Sequence, residues 1–168
     1  RNTLNSIAPG VIDFRRTLAV AWCSYSTVIQ SRDWLPDGIG GVCWYAVDNP
    51  AQSPRIPIFC GSTVLPDAFG KCGQKEYYPN SVLWEFRRAN KLATLSWQKT
   101  KKEFTDNVLE METMAFEGLP ELEAEYSKAT PRKRARLLNA YTAEIHDKCA
   151  ARWKELEAKY WLMFGRGF

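Results

Sequence analysis

The sequence predicts an α+β fold in which antiparallel strands come first and several helices follow. Nearly all the alternating apolar and β-branched runs, typical of strands, lie between about residues 16 and 61. Between about residues 80 and 162, apolar residues recur instead at three- and four-residue steps, the pattern of amphipathic helices. The length of 168 residues, residues 1–168, corresponds to a single domain or to part of one.

The first strand is predicted over residues 17–32. Apolar residues occupy both of its alternating faces between residues 18 and 23, so we expect a covering layer on each side. Four hydroxyl-bearing side chains then follow one another: Ser24, Tyr25, Ser26 and Thr27. Two interpretations of this cluster are open. The hydroxyls could bond locally to the backbone at a strand end, or they could form a polar patch that faces a pocket.

Two further strands are predicted over residues 38–48 and 55–60. Pro54 and Pro57 place the third strand at an edge of the sheet, because proline has no N–H to donate to a neighbouring strand. The short connections predict an antiparallel meander. The stretch 61–78 reads as a loop, and a loop of this length is expected to be functional or to be held in place by contacts.

Three helices are predicted between this loop and the last 40 or so residues. Asn80 or Ser81 would cap the first helix, whose apolar stripe extends to Trp97. The second helix is predicted from about residue 101 to 117, with Gly118 as its end. Pro120 suits the first turn of a short helix that continues to about residue 128.

The last helix is predicted to start at Thr130 and Pro131, the first as N-cap and the second as first helical residue. Its apolar stripe is long: Leu138, Tyr141, Ile145, Cys149, Trp153, Leu156 and Tyr160. The basic residues at 132–136 fit either a nucleic-acid patch or a solvated helix face, and the acidic residues that follow favour the solvated face. His146, the only histidine, is expected to pack or to lie at the surface rather than to catalyse.

Composition excludes some classes of partner. The net charge of +4 is mild, whereas nucleic-acid-binding domains usually carry a stronger basic surface, so no nucleic-acid partner is predicted. No run of about 18 apolar residues occurs, so no membrane-spanning helix is predicted. Aromatic residues make up 13% of the chain, which predicts a core or a groove built from large rings.

The five cysteines are an odd number, so at least one has no partner within the chain. Their spacing does not match a zinc site, and neither a metal nor a cofactor is predicted. Cys60 and Cys72 flank a loop that contains Gly and Pro, and a disulfide between them is one open alternative. That bond would favour an oxidising, extracytoplasmic or lysosome-like compartment; otherwise the sequence predicts no compartment.

The residues alone give no complete catalytic constellation, but short motifs occur in the order and near the spacing of one known family. They are an Arg-Thr strand start, V-x-Q-x-R, L-P-x-x-I-G-G-V-x-W, P-x-x-x-G, S-x-x-W-x-F and a final helical segment. They lie at residues 16–17, 28–32, 35–44, 57–61, 81–86 and 150–160. On these motifs the chain resembles the C-terminal half of the cysteine dipeptidases, which belong with the secernins among the N-terminal-nucleophile hydrolases.

The resemblance implies part of a four-layer αββα sandwich and the hydrolysis of amide bonds in dipeptides or short peptides. In that family the nucleophile is the thiol of a cysteine made N-terminal by processing, and its own α-amino group can act as the base. Arg16, Ser24, Ser26 and Thr27 are the residues that we expect to face the substrate pocket.

None of the five cysteines can be carried over as the nucleophile, because Arg1 is the first residue and all of them are internal. We therefore expect a C-terminal subunit or fragment that pairs with an N-terminal catalytic chain of the same precursor. The chain alone would then be inactive and would show a large apolar surface on its strands. A homo-oligomer is a further alternative, and a non-catalytic binding or scaffold protein that keeps the fold is the rival interpretation.

Overall fold

A computed structural model describes residues 2–11 and 18–165 of the chain. Three strands form one sheet: β1 (Tyr25–Ser31), β2 (Gly41–Val47) and β3 (Ile56–Phe59). The helices are α1 (Asn2–Ile7), α2 (Asp37–Gly40), α3 (Val82–Ala93), α4 (Trp97–Glu117), α5 (Leu119–Lys128) and α6 (Pro131–Phe164). Short 3₁₀ segments occur at Asp67–Gly70 and Thr94–Ser96. The prediction of an α+β chain, with antiparallel strands followed by several helices, is confirmed for these residues.

The sheet is an antiparallel meander with the strand order β1-β2-β3, as predicted. Thr27 lies opposite Tyr45 in the first pair, and Val42 lies opposite Phe59 in the second. β3 is an edge of the described sheet, which agrees with the position of Pro57. The Thr142 hydroxyl of α6 donates to the Pro57 carbonyl at 2.8 Å, so α6 satisfies an acceptor that no strand of the described sheet reaches.

The first strand is shorter than predicted, because residues 18–24 form turns and bends and β1 begins only at Tyr25. The Cys23 amide bonds to the Val20 carbonyl, which closes one of these turns. The physical reason lies in the partner strand. β2 ends at Val47, and the next residue, Asp48, has a positive φ of 59° that turns the chain away. No paired backbone therefore extends beyond the hydrogen bond from the Asp48 amide to the Ser24 carbonyl.

The described residues do not cover both faces of β1, so the covering layers expected for the first strand are not supplied by this part of the chain. Val28 and Ile29 point to opposite faces and are 50% and 72% exposed. Trp22 and Trp34, just outside β1, are also largely exposed. In the central strand, by contrast, Trp44 is only 3% exposed. Exposed apolar side chains therefore surround the free edge of β1, where the residues described in the structure supply no further strand.

The helices differ from prediction mainly between α3 and α4. α3 ends at Ala93, the 3₁₀ segment turns the chain, and Trp97 opens α4 instead of closing the apolar stripe of α3. The Thr100 hydroxyl donates to the Ala93 carbonyl at 3.0 Å and ties the two helices across this turn. Two other predicted helix boundaries are confirmed, since Gly118 separates α4 from α5 and Thr130 precedes α6. The second strand begins later than predicted, at Gly41, because residues 37–40 form α2.

The helical core is built from aromatic rings of α3, α4 and α6. Phe86 and Trp153 have ring centroids 5.4 Å apart, and Phe104 and Tyr160 have theirs 5.6 Å apart. All four side chains are at most 1% exposed. Burying a large apolar side chain contributes roughly 1.5–3 kcal/mol, so this cluster holds α6 against α3 and α4. Over the described residues, no helix combines the length and apolar character that a membrane span requires.

Candidate functional site

A cavity of about 290 Å³ opens between the end of the sheet, the loop that follows the 3₁₀ segment Asp67–Gly70, and the start of α3. Its walls are mostly aromatic and aliphatic, and a few polar side chains stand among them. The lining residues are Ser24, Tyr25, Tyr45, Val47, Phe69, Lys71, Cys72, Gly73, Gln74, Val82 and Leu83. Apolar walls with a few polar groups are the usual make-up of a small-molecule pocket.

Three aromatic rings form one wall of the cavity. The Tyr25 and Tyr45 rings are stacked with centroids 5.7 Å apart, and the Phe69 ring lies 5.9 Å from Tyr45. Tyr25 and Tyr45 meet because they occupy diagonal positions on one face of paired strands. Burial, together with nearby Tyr25, raises the pKa of the Tyr45 hydroxyl, so this group stays protonated at neutral pH.

The loop side of the cavity is fixed by hydrogen bonds. The Gln74 side-chain amide donates to the Ser24 hydroxyl oxygen, and the Trp84 indole N–H donates to the Gly73 carbonyl at 2.7 Å. A Cβ at Gly73 would lie 2.6 Å from both the Ser81 hydroxyl oxygen and a Trp84 ring carbon, so only glycine permits this approach. Residues 71–74 are thereby held against α3 as part of the pocket wall.

A buried polar network holds the chain just before β1. The Asp48 carboxylate is fully buried and accepts from Arg87 at 2.7 Å and from the Asn90 amide at 3.0 Å. Arg87 also donates to the Cys23 carbonyl at 3.4 Å, and the Lys91 ammonium donates to the Ala21 carbonyl. α3 therefore fixes the segment that places Ser24 at the cavity, even though this segment is not part of a strand.

His146 belongs to α6 and packs against Phe69, which lines the cavity. Its ring centroid lies 5.5 Å from that of Phe69, and it is only 4% exposed. The two ring nitrogens contact Glu85 at 3.0 Å and Asp147 at 2.9 Å. Carboxylates contact both ring nitrogens, so this histidine is a packed and paired residue, which was one of the two positions expected for it.

The predicted pocket residues do not all lie together. Ser24 lines the cavity, and Thr27 lies on the same sheet face as Tyr25 but is exposed. Ser26 points to the other face, because side chains alternate along a strand, and its buried hydroxyl has no hydrogen-bond partner among the described residues. Arg16 lies outside the described residues.

The other predicted features concern cysteines and metals. Cys60 and Cys72 are free, exposed thiols in the structure, and the disulfide between them stays a prediction. In the described parts of the chain, no three His, Cys, Asp or Glu side chains gather as metal ligands would.

Sequence reasoning did not single out Tyr45, Phe69, Gln74 or Val82 as pocket residues. The one signal that pointed toward them was the length of the 61–78 loop, since Phe69 and Gln74 belong to it. Their meeting with Tyr45 depends on the path of that loop across the sheet, which no local pattern in the sequence specifies.

Comparison with known proteins gives one family. The family model described as "Peptidase family C69" matches residues 7–110, which is more than half of the chain. The matched segment contains all three strands, α3 and every residue that lines the cavity. No curated protein matches the chain significantly.

Proposed function

This chain belongs to peptidase family C69, a family of cysteine dipeptidases, and we propose that its cavity forms part of the substrate pocket for hydrolysis of dipeptides or short peptides. The observation that carries this proposal is the overlap of the cavity with the matched segment. All lining residues fall between Ser24 and Leu83, inside residues 7–110. A volume of about 290 Å³ is near the lower limit for small-molecule pockets and suits one side chain of a short peptide.

The nucleophile belongs, in this proposal, to residues outside the 168 in the sequence. Among the described residues, the only histidine is buried between Glu85 and Asp147 and does not line the cavity, so the cavity contains no imidazole that would activate a thiol there. A cysteine made N-terminal by processing carries its own base, the α-amino group. A partner chain from the same precursor therefore supplies the thiol, and this chain supplies walls and positioning groups.

The reaction is ordinary acyl transfer. The thiol gives its proton to the α-amino group, and the sulfur attacks the carbonyl carbon of the peptide bond. Backbone or side-chain donors stabilise the oxyanion of the tetrahedral intermediate. The C–N bond breaks, the leaving amine takes the proton, and water then hydrolyses the thioester, which releases the acid and regenerates the thiol. No step requires a metal or a cofactor.

The exposed surface around β1 is where the partner chain would dock. β1 has an unpaired edge within the described sheet, and Val28, Ile29 and Trp34 are exposed beside it. Unprotected edges with large apolar neighbours are normally covered in a stable protein. In an αββα sandwich, the precursor's remaining strands would extend this sheet and provide a second one.

The alternative function is a non-catalytic binding or scaffold protein that retains the fold. Intact-mass analysis and peptidase assays of the native protein separate the two. The proposal predicts a co-purifying chain with an N-terminal cysteine, dipeptide hydrolysis that iodoacetamide abolishes, and no hydrolysis by the 168-residue chain alone. Hydrolysis by the lone chain would refute the external nucleophile, and absence of hydrolysis by the intact protein over a broad dipeptide panel would favour the scaffold.

A matched pair of serine variants tests the pocket assignment. Ser24→Val places a branched aliphatic side chain in the cavity, whereas Ser26→Val makes the same change on the other face of the sheet. We expect Ser24→Val to raise KM for dipeptides by about tenfold, since one lost polar contact and a narrowed pocket remove roughly 1–2 kcal/mol of binding. Equal KM values for the two variants would place the substrate elsewhere.

A further inference from the structure

A second concave surface lies away from the cavity and outside the matched segment. It is a groove of about 400 Å³ between the end of α4, α5 and α6. Its floor is apolar: Leu122 and Ile145 are 6% and 2% exposed, and Met114 and Leu137 are half-buried beside them. The floor is therefore already formed by the helix packing.

The rim of this groove is acidic, although the chain as a whole carries a net charge of +4. Glu121, Glu125 and Glu144 line it and are all exposed. Glu144 is paired with Lys148, whose ammonium lies 2.6 Å from it. Among the described residues, Glu121 and Glu125 have no ion-pair partner.

The glutamates of α5 differ in whether they form an ion pair. Glu123, which lies between the two rim residues in sequence, pairs with Arg32 and so connects α5 to the residue that follows β1. Glu121 and Glu125 are four residues apart on one side of the same helix, and like charges at this spacing destabilise a helix. No Lys or Arg of the described chain forms an ion pair with either carboxylate, and Lys148 of the same groove pairs with Glu144, so a cation from another molecule would stabilise this face.

The groove has the features of a binding surface rather than of a catalytic one. None of its lining residues is Cys, Ser, Thr or His. The only hydroxyl, that of Tyr141, donates to the Ala115 carbonyl at 2.6 Å, and burial together with Glu144 raises its pKa to about 12. The Tyr141 hydroxyl therefore serves as neither a nucleophile nor a base near neutral pH.

The groove is also held in shape before any ligand arrives. A Cβ at Gly118 would lie 2.5 Å from the Tyr141 hydroxyl oxygen, so glycine allows the α4–α5 junction to approach α6 this closely. A preformed surface loses less conformational entropy on binding than one that must first order.

We propose that this groove binds a cationic amphipathic peptide segment of a partner protein. A large apolar side chain of the segment contacts Leu122 and Ile145, and its Lys or Arg side chains pair with Glu121 and Glu125. These two carboxylates are separated by about 6 Å along the helix axis, which matches basic residues one helical turn apart. The proposal is independent of the peptidase function, since the groove shares no lining residue with the cavity.

A second copy of this chain fits the groove less well than such a peptide. Its exposed basic residues, Arg132 and Lys133, could supply positive charge. The apolar side chains that follow them are unavailable, however, because Leu138 is fully buried and Leu137 lines the groove of its own chain. This basic segment of a second copy would therefore leave the apolar floor uncovered.

A fluorescence-anisotropy titration of the full chain tests the proposal. The probe is a labelled synthetic peptide of Leu and Lys in helical amphipathic order, and the control peptide replaces each Lys with Glu. We expect saturable binding of the Lys peptide only. In Glu121→Gln/Glu125→Gln, the loss of two exposed ion pairs should weaken binding by about three- to tenfold.

The matched control is Asp33→Asn/Glu155→Gln, which removes the same charge at exposed positions outside the groove and should bind as the original chain does. Ala140→Trp, at an exposed position on the groove wall, should abolish binding without disturbing the core. The proposal fails if the Lys peptide does not bind, if the control double variant loses as much affinity, or if Ala140→Trp binds normally. Concentration-dependent dimerisation that Ala140→Trp removes would assign the groove to a second copy and would also overturn it.

Discussion

Nε2 of His146 lies 3.0 Å from Oε2 of Glu85, and this contact joins α6 to α3 beside the candidate pocket. The other ring nitrogen contacts Asp147 at 2.9 Å, and the ring packs against Phe69 of the pocket wall. A protonated imidazole can donate to both carboxylates at once, whereas a neutral one can donate to only one. The protonation state of one buried residue therefore affects both the helix packing and the pocket.

The stability of the protein should fall as pH rises through the titration of His146. Burial alone would lower the pKa of this imidazole, but its hydrogen bonds and charge interactions with Glu85 and Asp147 outweigh burial and raise the pKa above 6.5. The folded state thus binds the proton more tightly than the unfolded state. The stabilisation is complete below pH 6.5 and is lost as pH rises through the raised folded-state pKa.

Urea unfolding of the original chain and of His146→Gln, between about pH 5.5 and pH 9, measures this effect. The original chain should lose stability over the upper part of this range, and the variant should lack that component. If the variant keeps the same pH slope, another group causes it. A thiol probe on Cys72, which lines the pocket, would report in parallel whether the pocket wall loosens over the same range.

The part of the fold that was predictable from sequence follows local rules. Pro57 predicts an edge strand because proline has no backbone N–H to donate to a neighbouring strand, whatever surrounds it. The stripe from Leu138 to Tyr160 predicts one buried helix face because its apolar residues recur at helical spacing. The errors concern contacts between distant segments. The start of β1 depends on where β2 ends, and that depends on the left-handed turn at Asp48.

The candidate site was less predictable than the fold for the same reason. Ser24 belonged to a visible hydroxyl cluster, but it lies just before β1, and alternation within β1 places Ser26 on the face opposite to Tyr25 and Thr27. Phe69 reaches Tyr45 only because the loop that carries it crosses the sheet and packs on His146. Such contacts depend on tertiary packing, which periodicity does not encode.

Asp48→Asn should be strongly destabilising. The side chain is fully buried and accepts from Arg87 and Asn90, so neutralising it leaves the half-buried guanidinium without its counter-charge. Breaking a buried ion pair from one side costs about 3 kcal/mol or more. Asparagine tolerates the positive φ of this position, so the loss would come from charge rather than from backbone strain. Denaturant unfolding measures the difference in free energy.

The matched control for this variant is Asp106→Asn, whose ion pair with Lys102 lies on the exposed face of α4. It should change the free energy of unfolding by no more than about 0.5 kcal/mol. Comparable losses in the two variants would mean that the Asp48 network does not hold α3 and the segment before β1 together.

Gly40→Ala should destabilise the turn between β1 and β2. A Cβ at this position would lie 2.7 Å from the Arg32 carbonyl oxygen and 3.1 Å from that of Leu35, and neither backbone atom can move without distorting the turn. Overpacking of this kind costs about 1–3 kcal/mol. Gly70→Ala is the control, since no atom lies within 4 Å of its Cβ position. Thermal unfolding should give a lower Tm for the first variant only; equal Tm values would contradict the tight turn.

The cysteines should divide into reactive and protected thiols. Cys60 and Cys72 are exposed, whereas Cys149 is buried, and burial together with nearby Glu112 raises its pKa from 9.0 to about 12. Such a shift reduces the thiolate fraction at neutral pH by about a thousandfold relative to the unfolded chain. With reduced protein, iodoacetamide labelling followed by peptide mass spectrometry should show early modification of Cys60 and Cys72.

Cys149 should be modified only when the chain unfolds, so its labelling in urea should follow the unfolding transition. Labelling of Cys149 in native protein at the rate of Cys60 would contradict the packing of α6 described above. The same experiment without prior reduction tests the predicted disulfide. If Cys60 and Cys72 are bonded, both resist labelling until a reductant is added, because an alkylating agent requires a free thiolate.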